Sequence, residues 1–321
     1  MKARVVFGGE IALDSAQTCN LSNVNVLAFV NDDGSIDYDG MYRAFELSAR
    51  VGYRTTCVEL ELPEWNYKQK RDRLLGVSIS GWFDFVDATG ITKEEQVKIL
   101  QTARQKTTES ANNYADLLGL NRPLLVTTVK PSGSSSQLFG ESAGVHRAHS
   151  PFFRRHVRIS SNDPLVQVCE ELGYKVVPEV GQNEESCDTK VVEFFVKSKA
   201  KRNKGDVGAI EQLEDYVMFQ ENWTQHNTSI TIHVREHEWE EVESWVYENW
   251  DKVVSISFIP YTDSFYQLMP YEEITEEEYN EAIKRIKPFD QSLLSKYEFR
   301  ELDDDDLGID DSCSTGGCAV R

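Results

Sequence analysis

Two rhythms of apolar and polar residues run through the chain. Short apolar or alternating stretches at 20–30, 74–80, 124–128, 227–234 and 253–259 predict five principal strands. The stretch from Asn227 to Val234 alternates most cleanly. Between them, apolar residues three and four apart predict helices. Asp39 is the expected cap of a helix through Met41, Ala44, Phe45 and Leu47, with Gly52 just past its end. Thr92 and Glu95 form a capping box for a long helix. Its inner face is Val97, Leu100, Ala103, Ala111, Tyr114 and Leu118, and Gly119 stops it. Asp163-Pro164 opens another, with Leu165, Val168 and Leu172 inward and Gly173 at its end. Residues 190–196 predict an extra strand and 211–224 a helix. Residues 236–250 predict an acidic helix that turns Trp239, Val242 and Trp245 to the core, and Thr275 with Glu278 caps a final short one. Strand and helix alternate, which favours parallel pairing with right-handed crossovers and places the chain in the α/β class.

Composition narrows the function more than the fold. With 321 residues, 40% of them apolar and 27% charged, the chain can bury a sizeable core. No apolar run approaches the ~18–20 residues that span a membrane, and the first residues lack the apolar stretch of a signal peptide. Fifty-four acidic against 34 basic residues give a net charge of −20. Such a surface repels phosphate backbones, which speaks against nucleic-acid binding. Six cysteines without a secretion signal do not make a disulfide scaffold, so a cytoplasmic protein with reduced thiols is expected. Residues 301–321 differ sharply: Asp303 to Asp306, Asp310-Asp311, then Cys313-Ser-Thr-Gly-Gly-Cys318. Charge and glycine there predict a flexible acidic tail behind a body at 1–300.

Four places could carry chemistry. The glycines between Cys313 and Cys318 let two sulfurs meet on an exposed, exchangeable arm, with two idle thiols as the alternative. Val129-Lys-Pro-Ser-Gly-Ser-Ser-Ser136 follows a strand and is dense in hydroxyls and N–H donors, which suits phosphate oxygens; a plain surface turn is the alternative. From Gly144 to Arg158, four Arg and three His interrupt an acidic chain. They suit a polyphosphate, or salt bridges to the surplus carboxylates. His146 and His149 lack a third metal ligand nearby, so no metal is expected. Gly8-Gly-Glu10-Ile, followed by Cys19, sets a carboxylate in a tight turn near a thiol, an arrangement that could do acid–base work. Cys57, Cys169 and Cys187 read as packing or surface residues.

Taken together these pieces resemble the catalytic chain of ribonucleotide reductases, most of all the monomeric, adenosylcobalamin-dependent class II ribonucleoside-triphosphate reductases. Gly9-Glu10-Ile11 with Cys19 and Asn20-Leu21 matches that family's finger-loop pattern. Val129 to Ser134, followed by Gly144-Val145-His146, looks like its substrate-phosphate loop. Asn227 to Val234 and Val253 to Pro260 look like its last barrel strands, and Pro270 to Thr275 like the segment after them. Cys313 and Cys318 look like its tail dithiol.

The resemblance implies the second half of a ten-stranded α/β barrel, five parallel strands with crossover helices, with a finger-loop remnant near 8–19. It implies reduction of ribonucleotides to deoxyribonucleotides by radical chemistry with adenosylcobalamin. Glu10 would be the general base, Cys19 one of the reducing pair, and Cys313 and Cys318 the relay to a thioredoxin-like reductant. Pro131, Ser132, Gly133, Ser134, Ser135 and Ser136 would hold the substrate phosphates. One departure stands out. Gly8 occupies the place of the family's radical cysteine and Phe7 that of the preceding proline. The likeness thus begins where that cysteine belongs, as a split gene, an inserted element or an altered sequence would leave it. The implied partner is an N-terminal half chain that supplies the cysteine. The alternative is a catalytically degenerate reductase relative that binds nucleotide or regulates.

Overall fold

The structure is a computed structural model that describes residues 4–5, 9–261 and 267–298. Phe7, Gly8, Cys313, Cys318 and the rest of the expected tail lie outside the described residues. In chain order the principal elements are β1 (Asn20–Asn25), α1 (Tyr38–Thr55), α2 (Pro63–Asp72), β2 (Leu75–Ser80), α3 (Trp82–Thr89) and α4 (Lys93–Leu118). There follow α5 (Ser135–Phe139), β3 (Phe152–Ser160), α6 (Pro164–Leu172), β4 (Lys175–Pro178), β5 (Thr189–Lys197) and α7 (Ala209–Asn222). The last are β6 (Thr231–Val234), α8 (Trp239–Glu248), β7 (Ser257–Pro260), β8 (Tyr271–Glu273), α9 (Glu276–Arg285) and α10 (Gln291–Glu298). The chain is mixed α/β, as the alternation predicts. It divides into two compact units, Met1–Pro151 with Ser198–Ser264, and Phe152–Lys197 with Phe265–Arg321.

In the first unit five stretches run parallel in sequence order. β1 pairs with β2 from Asn20↔Leu75 to Asn25↔Ser80. Residues 125–129 join as isolated bridges rather than a continuous strand: Val77 pairs with Thr127 and Val129 with Thr228. Backbone bonds of 2.8 Å (Val77 N to Val126 O) and 3.0 Å (Ser229 N to Val129 O) tie them in. β6 then pairs with β7 from Thr231↔Ser257 to Val234↔Pro260. The predicted strand at 20–30 is shorter than expected. It ends at Asn25, where its partner β2 ends, and Val26–Phe29 closes into a 3₁₀ turn.

Side chains alternate across such a sheet, so the register sorts them into two faces. One face carries Val24, Leu75, Val77, Ile79, Val129, Ile230, Ile232 and Val234, packed with Phe45, Tyr53, Leu100, Phe219 and Trp223 in the main core. The helices α1, α4 and α7 supply those partners. The other face carries Leu21, Asn23, Asn25, Gly76, Ser78, Ser80, Thr128, Asn227, Ser229 and Thr231, which are small or polar almost throughout.

Local signals explain the helix ends. Thr92 accepts from Glu95 N and Glu95 reaches back to Thr92 N, the expected capping box; Gly119 stops α4 in the left-handed region. The cap of α1 is Asp37 rather than Asp39, because Asp37 accepts the Gly40 amide at 2.9 Å and Gly40 leaves room for its carboxylate. Gly52 lies inside α1 rather than past it. A Cβ there would sit 3.6 Å from Leu75 Cδ2, an ordinary contact, so the position does not itself demand glycine. Pattern reading did not predict α2 or α3. Asp163 caps α6 as expected, but Leu165 is 38% exposed and the inward residues are Val166, Val168, Cys169 and Leu172. α9 carries the expected Thr275–Glu278 box but is followed by α10.

The second unit is an antiparallel sheet in the order β8-β3-β5-β4. The extra strand predicted at 190–196 is its centre, and the sheet's other strands were not foreseen. No helix among the described residues is long and apolar enough to cross a membrane.

Candidate active site

Glu10 and Cys19 converge at one end of the polar face. The turn before Glu10 needs Gly9, whose φ is +71° and whose missing Cβ would lie 2.9 Å from Ser255 Oγ. The backbone of the turn is tied to two of the parallel stretches, at Thr128 and Asn227. Asn227 N donates to Glu10 O at 3.1 Å, Thr128 Oγ1 donates to Glu10 O at 2.9 Å, and Asn227 Nδ2 donates to Gly9 O at 2.5 Å. These bonds fix the backbone of Glu10; the buried Oε2 of its carboxylate has no hydrogen-bond partner among the described residues.

Cys19 is the residue before β1, half-buried, with Sγ 4.0 Å from His226 Nε2. That nitrogen lies 2.8 Å from the Leu75 carbonyl oxygen, which can only accept, so Nε2 carries the hydrogen and is no base for the thiol. Burial holds His226 down to about 4, a neutral imidazole near pH 7. The Cys19 thiol is pushed up to about 12, first by burial and then by the negative charge of Glu10. Such a sulfur rests as S–H. It can surrender hydrogen to a reacting partner but is a poor free nucleophile.

The serine loop leaves the other end of the same face. Lys130 N donates to Ser78 Oγ at 2.9 Å. Ser132 adopts φ +55°, and Gly144 is required where the loop returns, since a Cβ there would come within 2.6 Å of Lys130 O. Pro131, Gly133 and Ser134 are exposed; Ser132 and Ser136 are buried. The buried hydroxyls of Ser135 and Ser136 have no hydrogen-bond partner among the described residues.

Beside this loop lie residues that sequence reasoning missed. Glu141 Oε1 accepts from Ser80 Oγ, and Ser80 Oγ accepts from Asn23 Nδ2 at 2.7 Å. Asp84 Oδ2 accepts the Ser142 amide at 2.6 Å. Burial raises Glu141 to about 7, helped by the charge of Asp84; burial raises Asp84 as well. Glu141 Oε2, Asp84 Oδ1, Asn23 Oδ1, Asn25 Oδ1 and Ser142 Oγ have no hydrogen-bond partner among the described residues. The available signal was the polar residue at every second position in Asn23-Val-Asn25 and Ser78-Ile-Ser80. Unpartnered buried oxygens are rare in folded proteins, and ligands of α/β sheets gather at the carboxyl ends of the strands.

The arginines of the basic stretch from Gly144 to Arg158 follow the salt-bridge alternative; their guanidinium groups are held within the protein. Arg147 bonds Glu211 at 3.2 Å and Asp215 at 3.1 Å and lies 3.8 Å above the ring of Phe83. Arg154 pairs with Glu193 at 3.4 Å and Arg158 with Glu179, while Arg155 donates to Pro270 O at 3.0 Å. His146 Nε2 accepts the Thr231 amide at 3.0 Å while Nδ1 faces Ala143 O at 3.1 Å, so both nitrogens are engaged. Among the described residues no group of three His, Cys, Asp or Glu is placed to hold a metal ion. Cys57, Cys169 and Cys187 are free, with Cys169 buried and the other two half-buried.

The chain superposes on a B-12 dependent (class II) ribonucleotide reductase with a TM-score of 0.78 and 24% identity, over 90% of this chain and 43% of that one. The alpha subunit of the Actinobacillus ureae class Id ribonucleotide reductase gives a TM-score of 0.52 at 17% identity. The particular relatives are narrower. The chain is similar over 98% of its length to adenosylcobalamin-dependent ribonucleoside-triphosphate reductases, 25% identical to that of Lactobacillus gasseri and 26% to that of Levilactobacillus brevis. The resemblance read from the sequence is thereby borne out. The chain spans 44% of the length of both of these relatives. No family model matches it.

Proposed function

We propose that the chain is the C-terminal part of a class II reductase that converts ribonucleoside triphosphates to deoxyribonucleotides, completed by a polypeptide corresponding to the rest of its relatives. In this reading its five parallel strands are half of a ten-stranded barrel and the polar face is the inner wall. The observation that carries it is the meeting of Glu10 and Cys19 on that wall, with the Glu10 charge acting on the Cys19 thiol.

Glu10 accepts the proton of the ribose 3′-hydroxyl, its turn held by the bonds of its backbone carbonyl to Thr128 and Asn227. Cys19 and a second cysteine in the completing part supply the two hydrogens that leave as water with the 2′-oxygen and as the new C–H bond. The two sulfurs become a disulfide. Cys313 and Cys318 reduce that disulfide by exchange, and a thioredoxin-like protein reduces the tail in turn. Pro131 to Ser136 hold the substrate phosphates. The completing part supplies the radical cysteine at the position Gly8 fills here.

The relatives are named for their dependence on adenosylcobalamin, and the assembled enzyme shares it in this reading; the group would supply the initiating radical. Two surface grooves lie on the described residues. One is lined by α4 and α7 residues such as Arg104 and Glu221, the other by Trp239, Tyr247, Trp250 and Phe258. Neither includes Glu10, Cys19 or the polar face, so they do not fit the cofactor, and no step here runs through it.

Mixing the chain with the completing polypeptide and adenosylcobalamin should yield deoxynucleotides. No product, with the radical cysteine present in that polypeptide, would reject the reading. Cys313→Ser should spare a single turnover of prereduced enzyme and stop later ones; equal loss in both assays would reject the relay.

A further inference from the structure

A second convergence lies at the carboxyl ends of β6 and β7, formed by residues the proposed chemistry does not use. The ring of Tyr261, just past β7, organises it. His233 meets that ring edge-on with centroids 6.3 Å apart. Lys204 Nζ stands 5.9 Å and the Arg235 guanidinium 5.0 Å from the same centroid. The backbone brings His149 alongside: Ala148 and Asn203 form a parallel bridge, and Lys204 N donates to Ala148 O at 2.9 Å. His149, Lys204, His233 and Tyr261 are all half-buried. A chain of net charge −20 thus gathers an imidazole and two cations around one aromatic ring, with a second imidazole, His149, close to Lys204 and His233.

The neighbouring charges are turned elsewhere. Glu238 takes the Arg235 and Ala209 amides at 2.8 and 3.0 Å and lies 3.5 Å from Arg235 Nη1. Arg235 itself donates to the Gly205 and Val207 carbonyls. Asp206 accepts the Asn203 amide at 2.8 Å. His146, the third imidazole of the region, is occupied at both nitrogens. The buried Nδ1 of His233 has no hydrogen-bond partner among the described residues.

We infer that His149, His233 and Lys204 form a binding site for a polyphosphate group, closed on one side by Tyr261. Neutral imidazoles beside a lysine repel a proton in the empty site and welcome one when an oxyanion arrives. Burial first, then Lys204, holds His149 and His233 each down to about 4, so both are neutral near pH 7 without a ligand. A bound oxyanion reverses that balance, so binding must take up protons. The site stands on other residues than the serine loop at 131–136 and does not require the reductase reading.

Calorimetry of the full chain with inorganic tripolyphosphate, in two buffers of different ionisation enthalpy near pH 7, tests it. We expect saturable binding with uptake of about one proton per ligand, tightening as pH falls toward 6. His233→Gln and Lys204→Met should each weaken it by about tenfold, while Lys98→Met, on the exposed side of α4 and away from these residues, should leave it unchanged. A nucleoside triphosphate that displaces tripolyphosphate identifies a nucleotide-borne chain as the occupant; one that does not identifies a free polyphosphate. No binding, binding without proton uptake, or binding that His233→Gln leaves intact would overturn the site. The proton measurement uses the unmodified chain, so a misfolded variant cannot mask the answer.

Discussion

The sulfur of Cys19 lies over the bare Cα of Gly76. A Cβ at Gly76 would come 3.5 Å from that sulfur, 3.1 Å from Thr128 Cγ2 and 2.3 Å from Leu21 Cδ2. Glycine is therefore the only residue that lets β1 and β2 pair in this register with Leu21 and Cys19 in place. Gly76→Ala should destabilise the chain by about 1–3 kcal/mol through overpacking, read by urea denaturation.

Cys19 itself should be a slow thiol. With its ionisation pushed up to about 12, alkylation at pH 8 should fall far behind that of Cys57 or Cys187 and rise only in strongly alkaline solution. Glu10→Gln removes the neighbouring negative charge, which lowers the thiol's pKa and speeds alkylation at a given pH. Mass spectrometry of timed reactions checks both. An unchanged rate in the variant would show that the Glu10 charge does not reach the sulfur.

Glu141 should make stability fall with rising pH. Its carboxyl goes from an ordinary 4.5 to about 7 in the folded chain, so the folded form holds the extra proton between those values. The stabilisation is complete below 4.5 and lost as pH rises through 7. Glu141→Gln keeps an acceptor for Ser80 and carries no charge. It should match the parent near pH 4.5 and exceed it at pH 8 by up to about 3 kcal/mol. Melting curves at the two pH values decide it.

Arg147→Met should cost about 3–5 kcal/mol at pH 8. It leaves Asp215, only 3% exposed, without its cation at 3.1 Å. Burial already raises Asp215 to about 6 while Arg147 opposes the rise, so removing the arginine raises it further. At pH 5 the acid is protonated and the loss should shrink. Adding Asp215→Asn should recover much of the stability at pH 8, measured in the same denaturation series.

The sequence exposed what is local or periodic. The Thr92–Glu95 box, Gly119 and the alternation of Asn227 to Val234 each act within a few residues, and the structure shows each of them. Glu10 and Cys19 were legible through a family pattern. Their partners Thr128, Asn227 and His226 were not, because those contacts span more than a hundred residues. The run from Gly144 to Arg158 reads as either a binding stretch or a set of salt bridges, and its part from Phe152 onward lies in β3. There Arg154 meets Glu193 across the sheet, a pairing that exists only once β5 is beside it. Asp39 is the expected cap of α1, and Asp37 takes that place because Gly40 leaves room for its carboxylate.

β7 has no partner on its outer edge among the described residues, and its four residues are all exposed, Phe258 and Ile259 included. Such a row of amides and carbonyls is a template for whichever extended segment reaches it first. Concentrating the chain by itself should therefore drive self-pairing into oligomers. Expression together with a polypeptide that occupies that row should keep it dispersed.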